Sequence, residues 1–359
     1  WVADMDIATP ACVLEAVRHR LEHPVIGYEM MRDDAYTAQC DWVKRHHGWE
    51  MNEAWLSYSP SVVASIGCAI RAFSDVGDEV IVQSPVYPPF YDMVRHHNRS
   101  LVLNPLMQDE DGNYRFDLED LRSKITSKTK MLLLCSPHNP VGRVWERREL
   151  LALGNLCLQN GIVIISDEIH SDIVFSPNIH HPMASLSPAL EANTVTLLGP
   201  GKTFNMAGFS ISTVAIASEA LRKRYEIEDK KTHFGEGAVL SHVAFEAAYT
   251  QGDEWHAALI NHLQTNRDMM AQWVLAHPIL KFSKTQGTYL AWIDCRGLGL
   301  GDKALREFFV HDAHLGLSPG LSFGKEGSQY MRLNFAVASE VLAQALGQLS
   351  DALVRRGYA

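Results

Sequence analysis

The sequence predicts an α/β protein with a mostly parallel central sheet in a large domain and a smaller α+β unit at its C-terminal end. Three observations point there. Short apolar runs alternate with helical patterns along most of the 359 residues. The runs are apolar on both faces, as strands sandwiched between helical layers must be. Beyond Pro278 the rhythm changes, and strand-like runs at 288–293 and 330–335 accompany two helical segments.

Taken in order, Thr9 and Pro10 read as an N-cap and first helical position. Val13, Leu14, Val17 and Leu21 follow as an apolar face. A helix at 61–73 precedes a strand at 78–82. Further strands are predicted at 101–103, 131–135, 162–165, 195–198 and 213–216. The pattern from 236 to 276 is helical, and the mixed-charge run 226–231 before it reads as a solvated face, as does 123–130. A boundary near residue 255 divides the chain into an N-terminal segment (1–27) packing with the small domain, a large domain (28–255) and a small C-terminal domain (256–359).

Composition narrows the function. Hydrophobic residues make up 47% and charged residues 21%, which fills a core without metal or disulfide. The net charge of −10 disfavours nucleic acid and anionic membranes. An anionic ligand then needs a local device such as a helix N-terminus. No apolar run approaches the roughly 18 residues of a membrane span. Cysteines 12, 40, 68, 135, 157 and 295 form no CxxC pair and read as buried reduced thiols, which suits the cytoplasm. The chain opens at Trp1 in mid-pattern, as if a natural N-terminus preceded it. The histidine pairs 46–47, 96–97 and 180–181 lack any metal-site spacing and read as solvated or loop residues, so no metal is expected.

Ligands of open α/β sheets bind beyond the carboxyl ends of the strands. Three loops qualify: Ser136-Pro137-His138-Asn139-Pro140-Val141-Gly142, Ser166-Asp167-Glu168-Ile169-His170, and Gly199-Pro200-Gly201-Lys202-Thr203. An amide (Asn139), a carboxylate (Asp167) and an amine (Lys202) thus converge on one edge. Gly-Lys-Thr after a strand also resembles the tail of a phosphate-binding P-loop, but that motif needs a glycine where Thr196 stands. Pyridoxal phosphate asks for an amine to tether its aldehyde, a carboxylate at the ring nitrogen, a donor at the ring oxygen and an anion site. Lys202, Asp167 and Asn139 match the first three. Arg332, within an apolar strand-like run, calls for a carboxylate partner.

On these motifs, with Trp1-Val2-Ala3-Asp4-Met5-Asp6, Pro85-Val86-Tyr87-Pro88-Pro89-Phe90, Lys202-Thr203-Phe204-Asn205 and Met331-Arg332-Leu333-Asn334, the chain resembles the fold-type I pyridoxal-phosphate enzymes of the aminotransferase class I/II superfamily. Within it the chain is most similar to the MalY/PatB group of cystathionine β-lyases, which are C–S lyases. The resemblance implies a fold-type I transferase and a pyridoxal 5′-phosphate cofactor. It implies Lys202 as the catalytic Schiff-base lysine, Tyr87 stacked on the ring, and the Val62 and Val63 amides on the phosphate. It implies Arg332 and Asn139 on the substrate, and Ala3 lining the substrate side with its backbone. Tyr28 would reach the neighbouring subunit's phosphate, which makes the active unit a homodimer. His170 stands where aminotransferases often carry tyrosine and is counted among the cofactor contacts, its role open.

Three positions depart from the pattern. Gly201 replaces a common serine, Ser61 a common glycine, and Ser210 the arginine that aminotransferases use for phosphate. The last favours a lyase acting on cystathionine or other S-substituted cysteines, yielding a thiol, pyruvate and ammonia. An aminotransferase is the alternative, and a regulatory protein on the same fold a remoter one.

Overall fold

The structure is a computed structural model that describes residues 3–109, 112–233, 235, 237–283 and 285–358. Trp1, Val2 and Glu236, which figure in the sequence reading, lie outside them.

Seven strands form the main sheet: β1 (Leu56–Ser59), β2 (Glu79–Val82), β3 (Ser100–Leu103), β4 (Thr129–Cys135), β5 (Val163–Asp167), β6 (Thr194–Leu198) and β7 (Ser212–Ala215). Their spatial order is β1-β7-β6-β5-β4-β2-β3. The pairs β3/β2, β2/β4, β4/β5 and β5/β6 are parallel, and β7 runs antiparallel to both its neighbours. The reason for the odd strand is the connection before it. Residues 199–211 form a compact turn that holds no crossover helix, so β7 can only return beside β6 in the opposite sense. The central strands are buried on both faces, with β6 buried throughout, which accounts for their unbroken apolar runs. β1, whose sequence does not alternate clearly, has no counterpart among the predicted strands.

Helices cover the sheet. α1 (Ala11–Leu21) begins one residue later than its pattern suggests. Thr9 is no cap: its hydroxyl donates to the Asn205 carbonyl at 2.8 Å, pinning the N-terminal segment to the Lys202 turn. α2 (Asp33–His47) ends on Gly48, whose φ of 68° closes a left-handed cap. α3 (Val62–Phe73) starts as expected, with the Ser61 hydroxyl accepting from the Ala64 amide at 3.2 Å. Lys202 sits in the one-turn helix α4 (Pro200–Thr203).

The predicted long helix is two: α5 (Val239–Gln251) and α6 (Asp253–Leu275), broken at Gly252. A Cβ at Gly252 would overlap the Ala248 carbonyl and the Phe204 ring. Only glycine lets the Lys202 turn pack this closely.

A second sheet is wholly antiparallel, with order β8 (Lys281–Phe282), β9 (Leu290–Asp294), β11 (Tyr330–Asn334) and β10 (Ser318–Pro319). Leu263, Met270, Leu346 and Leu349 pack on it, and Met5 from the N-terminal segment joins the same core. Among the described residues no helix is long and apolar enough to cross a membrane.

Candidate active site

The carboxyl ends of β4, β5 and β6 meet the N-terminus of α3 and one face of β11 around a cavity of about 380 Å³. Ala3, Ser61, Val62, Val63, Tyr87, Asn139, Asp167, His170, Lys202 and Arg332 all line it. Nine of the ten site residues expected from sequence are therefore brought together. Tyr28 is not: it lies fully exposed in the irregular stretch before α2.

Lys202 enters from α4. Its Nζ donates to the Ala3 carbonyl at 2.7 Å and lies 3.5 Å from Asp4 Oδ1. Burial lowers its pKa, against the pull of the Asp4 carboxylate. The Ala3 carbonyl also accepts from the Tyr289 hydroxyl at 2.5 Å, which holds the N-terminal segment over the lysine.

Asp167 is the last residue of β5 rather than a loop residue, and this fixes it more firmly than a loop would. It is 5% exposed, and its Oδ1 accepts from the Ile169 amide at 3.1 Å. Burial pushes its pKa up to about 7. A buried carboxylate so poorly compensated calls for a cation in the cavity.

Asn139 gives its Oδ1 to Arg332 Nη1 at 3.1 Å, so its amide hydrogens remain as donors. Arg332 projects from β11, bonds the Ser318 hydroxyl at 3.3 Å and stacks its guanidinium 4.7 Å from the Phe323 ring. Burial lowers its pKa to about 10, which leaves it cationic at neutral pH. His170 is held neutral: burial and the charges of Lys202 and Arg332 depress its pKa to about 3. Its Nδ1 is buried with no hydrogen-bond partner among the described residues, and its ring meets Tyr289 edge-on. Tyr87 is 36% exposed, and burial together with the Asp167 charge raises its pKa.

The Val62 and Val63 amides open α3, whose positive end faces the cavity. Ser61, Ser210 and Ser212 also line the cavity, with neutral hydroxyls. Sequence reasoning missed Cys135, the buried thiol that ends β4 and lines the cavity; it was legible only as a core cysteine. It also missed Tyr289, whose hydroxyl reaches Ala3 from a distant part of the chain.

The reading of the histidines as solvated or loop residues needs one correction: His47 lies on α2 with its side chain buried, and His180, though in a loop, is not solvated. His180 is buried, with Nε2 at 2.9 Å from Glu168 Oε2. The His47 side chain is 7% exposed and lies 2.8 Å from Asp172 Oδ1. Both carry carboxylate partners from the 166–172 segment, which sequence spacing did not reveal. Among the described residues no group of histidines, cysteines and carboxylates is arranged to hold a metal.

Residues 3–349 match the model of the family described as aminotransferase class I and II. The cystathionine β-lyase PatB of Bacillus subtilis (strain 168) is 37% identical, over 98% of this chain and 92% of its own. The crystal structure of cystalysin from Treponema denticola, which contains a pyridoxal 5′-phosphate cofactor, superposes with a TM-score of 0.96 at 31% identity, covering 99% of this chain and 90% of its own. The pyridoxal-phosphate-bound C–S lyase of Staphylococcus hominis gives a TM-score of 0.92 at 33% identity, again over 99% and 90%.

Proposed function

The chain belongs to the aminotransferase class I and II family, and on that premise we propose that it is a pyridoxal-phosphate-dependent C–S β-lyase. It cleaves cystathionine or a related S-substituted cysteine to a thiol, pyruvate and ammonia. Its fold is that of the fold-type I enzymes. The observation that carries the reading is Asp167, a buried carboxylate whose raised pKa asks for a cation, facing the same cavity as the Lys202 amine.

The residues present fit the cofactor. Lys202 would tether its aldehyde, Asp167 would keep its ring nitrogen protonated, and Asn139 would donate to its ring oxygen. Tyr87 would stack on the ring, with the neutral His170 as a further contact. The Val62 and Val63 amides would hold the phosphate at the α3 N-terminus. When bound, the cofactor draws electrons from the substrate Cα–H bond.

Arg332 pairs with the substrate α-carboxylate, and Asn139 and the Ala3 backbone line the substrate side. Lys202, its amine released from the cofactor, would remove the substrate Cα proton as general base. Burial favours the neutral amine that this role requires. The thiolate departs from Cβ, and one water is consumed as pyruvate and ammonia leave. Tyr28 completes the phosphate site of a second subunit, so the working unit is a homodimer. The protein acts in the cytoplasm on a small sulfur amino acid.

The test is incubation of the purified protein with cystathionine and pyridoxal phosphate, without any keto acid. Pyruvate and a free thiol are expected. Amine transfer that requires a keto acid would make it an aminotransferase instead. Lys202→Ala should lose both turnover and the visible absorption of lysine-bound cofactor.

A further inference from the structure

Behind the cavity a second constellation is built on Asp172. Its carboxylate is buried. Oδ1 accepts from Trp42 Nε1 at 2.9 Å and lies 2.8 Å from His47 Nε2; Oδ2 accepts from Thr203 Oγ1 at 2.6 Å. The Asp172 carbonyl oxygen lies 2.7 Å from His256 Nε2. None of these side chains lines the cavity. Trp42 and His47 lie on α2, Thr203 follows Lys202 in the chain, and Asp172 closes the segment that begins at Asp167. One carboxylate thus ties the lysine turn to the segment that carries the ring-nitrogen partner.

The turn needs such a tie. α4 is a single helical turn, and a helix that short does not hold itself in water. The position of Lys202 is therefore set by what its neighbours grip. Phe204 packs on Gly252, Asn205 bonds the Met5 and Ile7 carbonyls, and Thr203 bonds Asp172. Of these, Thr203 is the side chain that hydrogen-bonds the segment running from Asp167 to Asp172, beyond the backbone pairing of β5 with β6. The segment is itself fixed, because Glu168 accepts from Ser166 Oγ and the Met183 amide and meets His180. A buried carboxylate with this many donors stays ionised. Burial opposes the charge, but the hydrogen bonds from His47 and Thr203 and the nearby His47 and His256 rings outweigh it.

We propose that Asp172 is a positioning residue for the reaction: through Thr203 it fixes the Lys202 turn relative to Asp167, while Trp42 and His47 hold the carboxylate itself. The proposal rests on the roles given above to Lys202 and Asp167.

Three variants, studied as holoenzymes, test it. Thr203→Val keeps the side-chain shape and removes the hydroxyl; Thr203→Ser keeps the hydroxyl; Asp172→Asn removes the charge. A displacement on the order of 1 Å at a reacting group lowers the rate by about 10²-fold. Thr203→Val and Asp172→Asn should therefore lower kcat by about 10- to 100-fold while KM stays within about threefold of the parent value. Both should also shift the pH midpoint of the visible absorption of lysine-bound cofactor. Thr203→Ser should retain the parent kcat and midpoint. A folded Thr203→Val protein with parental kcat and midpoint overturns the proposal. So does a Thr203→Ser protein as impaired as Thr203→Val, because the methyl group and not the hydrogen bond would then matter. If Asp172→Asn does not fold, the threonine pair still decides. Parent protein that takes up no pyridoxal phosphate removes the functional reading and this proposal together; parent turnover with an unaffected Thr203→Val removes only the proposal.

Discussion

At Lys202, burial and a neighbouring charge pull in opposite directions, and burial prevails. The amine sits below its ordinary 10.5 although Asp4 opposes the shift. Cofactor-free protein should therefore take up pyridoxal phosphate faster as pH rises, and the rate should level off below 10.5. Asp4→Asn should move the levelling-off point lower still, since it removes a charge that favours the ammonium. The growth of visible absorption against pH measures both, and an unchanged point in Asp4→Asn would show that the two groups are not coupled. Asp167 behaves in the opposite sense. Its folded pKa of about 7 exceeds its ordinary 3.8, so the folded chain binds more protons than the unfolded chain between those values. Stability of the cofactor-free protein should fall as pH rises across that window. Asp167→Asn should remove this contribution, melting above the parent at pH 8 and losing that advantage below about pH 4. A thermal melt of both proteins at the two pH values checks it. These two residues and Asn139 were legible because strand ends and spacing announce them. Asp172 was not: its donors Trp42 and His47 are 130 and 125 positions away, and no local pattern records such a meeting.

At the scale of elements, the proposed phosphate site rests on a helix end where familiar side chains are missing. The opening amides of α3 supply positive charge that needs no arginine, and Ser61 orders them by capping the helix. Gly201 nonetheless leaves room. A Cβ there would meet Ala207 Cα at 3.4 Å, an ordinary contact, and the position lines the cavity. Gly201→Ser should fold normally and bind pyridoxal phosphate more tightly, with little change for pyridoxal, which lacks the phosphate. One hydrogen bond to a charged group contributes about 1.5–3 kcal/mol, so cofactor dissociation should slow by roughly tenfold or more. Equal effects on both ligands, or none, would place the added hydroxyl away from the anion site. The main strands were legible as apolar runs because both their faces are buried. The reversal of β7 was not, because direction depends on the compact turn before it rather than on the strand's own residues. The break at Gly252 escaped for a related reason: helical periodicity runs through it, and the Phe204 ring that requires it comes from elsewhere in the chain.

For the whole molecule, the decisive region is the one the single chain leaves bare. Between α1 and α2 the chain has no regular secondary structure, and Val25, Ile26, Tyr28 and Met30 are all exposed. Exposed apolar side chains grouped in this way suit a surface where a second copy of the chain would sit. The same stretch leads into α2, whose Trp42 and His47 grip Asp172 behind the chain's own active site. If Tyr28 serves the neighbouring subunit, each complete site needs Lys202 from one chain and Tyr28 from the other. Lys202→Ala protein has no tethering amine, and Tyr28→Ala protein lacks the phosphate contact; each alone should turn over poorly at limiting cofactor. Mixed and allowed to exchange subunits, they should regain activity. In a mixed dimer the Tyr28→Ala chain supplies Lys202 and the Lys202→Ala chain supplies Tyr28, so one of its two sites is intact. With random exchange half the dimers are mixed, which sets the ceiling at about a quarter of parental activity. A tyrosine acting within its own chain gives no such recovery, because neither variant then holds a complete site however the subunits are shuffled. Sedimentation of the parent protein as a monomer would end the argument before the mixing begins.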